Sequence, residues 1–198
     1  PGFPLEHLPA TATGASFAEW QAVTDKMRDG KVKLAMIHGA NPVYGLPAAT
    51  NFGDALNSVE KIVSFSSFMD ETTAMADLIL PDHTYLESWG DDIPEPGPGY
   101  QTITFQQPVV RPFLNTKPFG DALLDLSRRI DGNLGDSLPW SSMKDVLQDT
   151  AQKLYGLQRG SVQASSFDAF WNTALQRGGW WDINASAVTP ENMPNTLP

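Results

Sequence analysis

Between residues 32 and 80 the chain carries three short apolar runs, separated by stretches with helical periodicity. Val32 to Ile37 is one. Its apolar side chains dominate without strict alternation, the pattern of a strand with two partly buried faces, as in a parallel sheet. His38-Gly39-Ala40-Asn41-Pro42 breaks it into a loop, and Asn51 to Val59 then places Phe52, Ala55, Leu56 and Val59 on one helical face. Lys61 to Phe65 reads as a second strand, Asp70 to Ala76 as a helix with acidic residues in its first turn, and Leu78-Ile79-Leu80 as a third strand stopped by Pro81. Three strands alternating with helices over so short a span are βαβ units. The spacing therefore predicts an α/β fold with a parallel sheet.

The flanks extend this plan. Residues 1–15, rich in Pro, Ala, Thr and Gly, read as a linker or arm. Ser16-x-x-Glu19 is a capping box opening a helix with Phe17, Trp20, Val23 and Met27 at helical spacing, and Gly30 is placed to end it. The segment Asp91–Gly99 is a Pro/Gly-rich insert, and Gln101 to Phe105 alternates like an edge strand or hairpin arm. Pro118 suits the first position of a helix to Ile130. Ser142 to Tyr155 and Ser166 to Gln176 are two more amphipathic helices, and residues from Asn184 form a polar tail. The expected organisation is an arm (1–15), a Rossmann-like α/β domain (16–135), a mainly helical extension (136–183) and a loose tail (184–198).

With 13 basic and 23 acidic residues, net −10, the surface does not suit nucleic acid or an anionic membrane, which need clustered Lys and Arg. No apolar run is long enough to cross a bilayer, so no direct membrane insertion is expected. The absence of cysteine excludes disulfides, thiolate nucleophiles and cysteine-held iron–sulfur clusters within these residues. Pro1-Gly2-Phe3-Pro4 has neither a basic start nor an apolar run, and a start without methionine suggests a piece cut from a longer parent.

Two segments are specific enough to suggest a family. One is Ile37-His38-Gly39-Ala40-Asn41-Pro42. The other runs from Phe68 to Pro81, with Glu71-Thr72-Thr73-Ala74, then Ala76-Asp77 and Leu80-Pro81, followed by Glu87 and Gly90. In this order and spacing they resemble the nucleotide-binding part of the bacterial molybdopterin oxidoreductases related to dimethyl sulfoxide reductase and formate dehydrogenase. The resemblance covers roughly residues 31–130. It implies a parent subunit that binds molybdopterin guanine dinucleotide carrying molybdenum or tungsten, with iron–sulfur and membrane subunits as partners beside the parent's remaining domains. By the same resemblance the parent would sit in a membrane-associated complex, on its periplasmic or cytoplasmic side. The fragment alone would not be catalytic.

The residues expected near the cofactor are Gly39, Asn41, Pro42 and Gly45 after the first strand, Ser66 after the second, and Asp82, His83 and Thr84 after the third. An Asn amide offers both a donor and an acceptor to a purine edge, and glycines let backbone approach a ligand. The family's acidic residue after the second strand is missing from Ser64-Phe65-Ser66-Ser67. With the insert Asp91–Gly99, this resembles a branch found in quinol-oxidising membrane complexes (alternative complex III), whose molybdopterin-like subunit serves as a scaffold. The alternative implied is a cofactor-free structural domain of an electron-transfer complex.

Plainer roles stand beside these. Asn41-Pro42 is also an ordinary turn, and Asp70, Glu71 and Thr72 suit a helix start better than catalysis. Asp77 suits a structural acceptor of backbone amides, and Glu87, Asp91 and Asp92 a solvated loop. His38 and His83 lack a second His at ligand spacing, so no metal site is expected. Phe167, Phe170, Trp171, Trp180 and Trp181 suit core and domain-docking surface.

Overall fold

The computed structural model describes residues 15–94, 100–130 and 134–183. The expected tail, residues 95–99 of the insert, and all of the expected arm but its last residue lie outside the described residues.

Strands β1 (Leu34–His38), β2 (Lys61–Phe65) and β3 (Leu78–Ile79) form a parallel sheet in the order β1-β2-β3. The register pairs Leu34 with Lys61 through His38 with Phe65, and Val63 with Leu78. All three strands therefore deliver their following loops to one edge. Asp77 fastens β3 to β2 as a structural residue, its carboxylate and amide bonding the amide and carbonyl of Ile62 at 2.8 and 2.9 Å.

One face of the sheet is packed. Ala35 and Ile62 are buried with Met27 of α1 (Phe17–Arg28), Phe52, Ala55 and Leu56 of α3 (Phe52–Leu56), and Val59. The capping box opens α1 as expected: Glu19 N donates to Ser16 Oγ at 3.3 Å and Ser16 N to the Glu19 carboxylate at 2.7 Å. Such a cap contributes roughly 0.5–2 kcal/mol. Gly30 follows with φ +67. The inward face of α1 is Trp20, Thr24 and Met27, whereas Phe17 is exposed.

The opposite sheet face differs from expectation. Leu34, Met36 and Leu78 remain 51%, 38% and 49% exposed. Only the carboxyl end of that face is covered, where Phe119 of α4 (Phe119–Ser127) stacks on His38 at 4.1 Å and meets Phe65 edge-on at 4.8 Å.

Three expected helices are shorter, among them α4, which has Pro118 as its N-cap and ends at Ser127 rather than Ile130. Asn51, in the left-handed region at φ 48, separates a 3-10 turn (Ala48–Thr50) from α3. The segment 70–76 yields only a 3-10 turn at Thr73–Met75, because Glu71 and Thr72 bond the loop after β1 instead of continuing a helix. Asp70 does act at its start, accepting from Thr73 N at 2.7 Å.

A second, antiparallel sheet has the order β4-β5-β6, from β4 (Gly90–Asp92), β5 (Thr102–Gln106) and β6 (Gly179–Trp181). β5 is thus a hairpin arm with β4, one of the two expected roles, and the sheet's central strand rather than its edge. Helices α5 (Leu134–Ser137), α6 (Met143–Gly156) and α7 (Phe167–Arg177) make the C-terminal region mainly helical. The chain separates into two compact units, one holding the described residues up to Trp89 with Gln107–Asp145, the other Gly90–Gln106 with the described residues from Val146. This differs from the linear division expected at residue 135, because β5 pairs with β6 from far downstream. Ile103, Phe105, Leu147, Leu154, Phe170, Trp171 and Trp180 fill the second core, so three of the five expected packing aromatics are buried there. Among the described residues no helix is long and apolar enough to cross a membrane.

Candidate functional site

The parallel register places the loops after β1, β2 and β3 side by side at the carboxyl edge of the sheet. Open α/β sheets bind ligands at such edges, because the loops there can close around a molecule without disturbing the ladder. Six of the eight residues singled out from the sequence lie on these loops, and Pro42 and Gly45 lie in the short helix that follows β1.

Gly39 leaves β1 with φ +64, and nothing lies within 4 Å of where a Cβ would stand. Gly45 is equally open. Pro42 is buried as the first residue of α2 (Pro42–Gly45), and Asn41 is that helix's N-cap. The Asn41 side chain also ties two loops together. Its Nδ2 donates to Glu71 Oε2 at 2.6 Å, while its Oδ1 accepts from Thr72 Oγ1 at 2.7 Å, Thr72 N at 3.3 Å and Tyr44 N at 3.4 Å. Thr72, 1% exposed, in turn accepts from Val43 N at 3.1 Å. The amide of Asn41 holds the Glu71 carboxyl below its usual range, since the bond favours the charged form.

Asp82 is the second knot. Its Oδ1 accepts from His83 N and Phe119 N, both at 2.8 Å, and its Oδ2 lies 2.6 Å from His38 Nε2. Its carbonyl accepts from Ser67 Oγ at 2.6 Å. His83 Nδ1 lies 2.6 Å from Thr116 Oγ1. Thr84 caps the 3-10 turn Tyr85–Glu87 in a reciprocal box, with Glu87 Oε2 accepting from Thr84 N at 2.9 Å. The backbone donors of Thr84 and Phe113 hold the Glu87 carboxyl low. Ser66 Oγ donates to Phe68 O at 2.9 Å and accepts from Phe68 N at 3.1 Å.

The expected polar residues thus share one sheet edge without forming one cluster, and their side chains bond the backbone and other neighbours: Glu71 and Thr72 for Asn41, His38 for Asp82, Thr116 for His83 and Glu87 for Thr84. What faces outward is different. Tyr44, Phe68 and Met69, on the loops after β1 and β2, are 77%, 80% and 73% exposed. Sequence reasoning passed over them, although apolar residues beside Asn-Pro and Ser-Ser turns are a usable signal. Open backbone at Gly39 and Gly45, next to flat exposed side chains, fits a planar or phosphorylated ligand laid across the strand ends. Among the described residues no three His, Cys, Asp or Glu are grouped to hold a metal.

A family model described as molybdopterin oxidoreductase matches residues 7–128. The chain is 39% identical over 119 residues to the menaquinone reductase, molybdopterin-binding-like subunit, of Nitratidesulfovibrio vulgaris, covering 60% of this chain and 17% of that protein. It is 36% identical over 77 residues to a tetrathionate reductase subunit of Salmonella typhimurium, covering 37% of this chain and 8% of that one. Acetylene hydratase from Pelobacter acetylenicus has a similar fold, with a TM-score of 0.53 at 24% identity over 61% of this chain and 16% of the hydratase. The chain thus spans under a fifth of the length of these relatives.

Proposed function

The chain belongs to the molybdopterin oxidoreductase family, and on that premise we propose that its three-loop edge is one wall of the binding site for the guanine dinucleotide of the molybdenum or tungsten cofactor. The observation that carries this is Gly39. It stands open and left-handed at the end of β1, beside loops that internal bonds already hold in place. A wall formed before binding spares the ligand the cost of ordering it.

Each residue then has a physical task. Gly39 and Gly45 admit the ligand to the backbone, and Pro42 fixes the turn. Asn41 commits one amide hydrogen to Glu71 and keeps the second for a purine edge. Ser66, Asp82, His83 and Thr84 keep the loops in register. When bound, the metal-bearing pterin supplies the redox chemistry; this chain contributes placement and exclusion of water. The parent's other domains complete the site, and iron–sulfur and membrane subunits receive or supply the electrons.

A second reading is a cofactor-free scaffold within an electron-transfer complex. It is favoured by the Ser64–Ser67 stretch without a carboxylate and by the internal bonding of the loop side chains. Metal and pterin content of the natively purified full-length protein separates the two. Near-stoichiometric molybdenum or tungsten, with a pterin dinucleotide released on denaturation, is the expected result. A well-folded protein holding neither sinks the cofactor reading and leaves the scaffold.

A further inference from the structure

Asp82 draws together more of the strand-end edge than any other residue singled out from the sequence. Both carboxylate oxygens and its carbonyl are engaged, and the partners come from four places in the chain. His38 closes β1, Ser67 lies in the loop after β2, His83 follows β3, and Phe119 opens α4. The bond to Phe119 N has a further consequence. Pro118, the N-cap of α4, has no capping side chain, so the carboxylate that accepts a first-turn amide arrives from a distant loop. Negative charge is favoured there, because free N–H groups and the helix dipole both point at it. The same carboxylate meets the His38 ring edge-on, while the face of that ring lies against Phe119 at 4.1 Å. Strand end and helix start thus share one acceptor, 80% of whose side-chain surface is covered.

We propose that Asp82 is a positioning residue, which sets the end of β1, the loops after β2 and β3 and the start of α4 in one arrangement before any ligand arrives. Each of its oxygens already accepts from or meets a protein partner: His83 and Phe119 amides at Oδ1, His38 at Oδ2 and Ser67 at the carbonyl. Charge-assisted bonds are about twice as strong as neutral ones, so a carboxylate at this crossing holds the loops better than an amide or hydroxyl. Asp82, expected among the residues near the cofactor, is on this reading the one that shapes their loops. As far as it concerns the cofactor, the inference rests on the nucleotide-wall reading; the pre-forming of the loops does not.

Hydrogen exchange on the full-length protein, wild type against Asp82→Ala and Asp82→Asn, tests it without needing activity. In Asp82→Ala the amides of segments 38–45, 66–70 and 116–120 are expected to exchange at least about tenfold faster, while the ladder amides of β1 and β2 keep their protection. Asp82→Asn, which keeps an acceptor oxygen and the side chain's size, is expected to restore part of that protection. If the wild type carries pterin dinucleotide, its occupancy falls in the Ala variant and partly recovers in the Asn variant. Unchanged exchange in the three loops overturns the proposal. So does a rise spread equally over the strands, or failure of both variants to fold, since either would make Asp82 a residue of the fold at large. A wild type without pterin, but with loops that loosen in Asp82→Ala, removes the nucleotide-wall reading and leaves the positioning role standing.

Discussion

At the scale of single residues, Asn41 illustrates how a motif residue can be read correctly and incompletely. Its place in a turn after a strand was legible from His38-Gly39-Ala40-Asn41-Pro42. Its partners were not, because Glu71 and Thr72 lie some thirty positions away and their acidic-hydroxyl pattern is equally that of a helix start. The pairing decides the local energetics. Asn41→Ala removes the acceptor of the buried Thr72 hydroxyl and the donor to Glu71 together, and a buried polar group left unmatched costs about 1–3 kcal/mol. A fall in thermal midpoint of several degrees is expected in the full-length protein, and Asn41→Asp is no full rescue, because it keeps the acceptor for Thr72 but faces the Glu71 carboxylate with like charge. A midpoint unchanged in Asn41→Ala would mean that water replaces the amide at no cost and that the two loops are not clasped by it.

At the scale of elements, the strands of the parallel sheet and the helices α1, α6 and α7 were legible because apolar periodicity and caps act over neighbouring residues. The fate of residues 70–76 and the second partner of β5 were not, since tertiary contacts decided both. The β6 end shows how strong such long-range ties are. Asp182 is 1% exposed, and its Oδ2 accepts from Arg159 at 2.8 and 3.0 Å through two guanidinium nitrogens. Next to Arg159, Gly160 lies so close to Trp180 that a Cβ would stand 2.4 Å from the ring. No periodicity announces an ion pair between buried Asp182 and Arg159, whose side chain is 41% exposed. Removing Arg159 strands the Asp182 charge, at less than the about 3–5 kcal/mol of a fully buried pair because solvent screens the Arg159 side, whereas replacing both by apolar groups is often nearly neutral. Arg159→Met is therefore expected to destabilise the β4-β5-β6 unit far more than Arg159→Met combined with Asp182→Leu, as read by chemical denaturation of the full-length protein. Equal losses in the single and double variants would show that the ion pair contributes beyond relieving its own burial.

At the scale of the whole chain, the α/β class was legible but the interleaving of two units was not, because residues 90–106 leave one unit's stretch of sequence to complete the other's sheet. Legible too was the demand for cover on both faces of a parallel sheet, which the described residues meet fully on one face and only at the carboxyl end of the other. Leu34, Met36, Leu78 and Leu80 stand exposed along the sheet, and Tyr44, Phe68 and Met69 at its loops. Exposed apolar surface of this extent favours association or dye binding, while a net charge of −10 opposes self-association by repulsion. Salt decides which wins. Raising ionic strength from about 10 mM to about 0.15 M shortens the screening length from ~30 to ~8 Å, which weakens the repulsion and leaves the apolar attraction in place. The 198-residue chain expressed alone is thus expected to bind a hydrophobic dye at all salt concentrations and to shift from monomer toward oligomer in sedimentation velocity as salt rises. Met36→Lys together with Leu78→Lys should suppress both effects by placing charge on the open face. A chain that stays monomeric and dye-free at high salt would mean that this face is hydrated in its isolated state and exerts no pull on a partner surface.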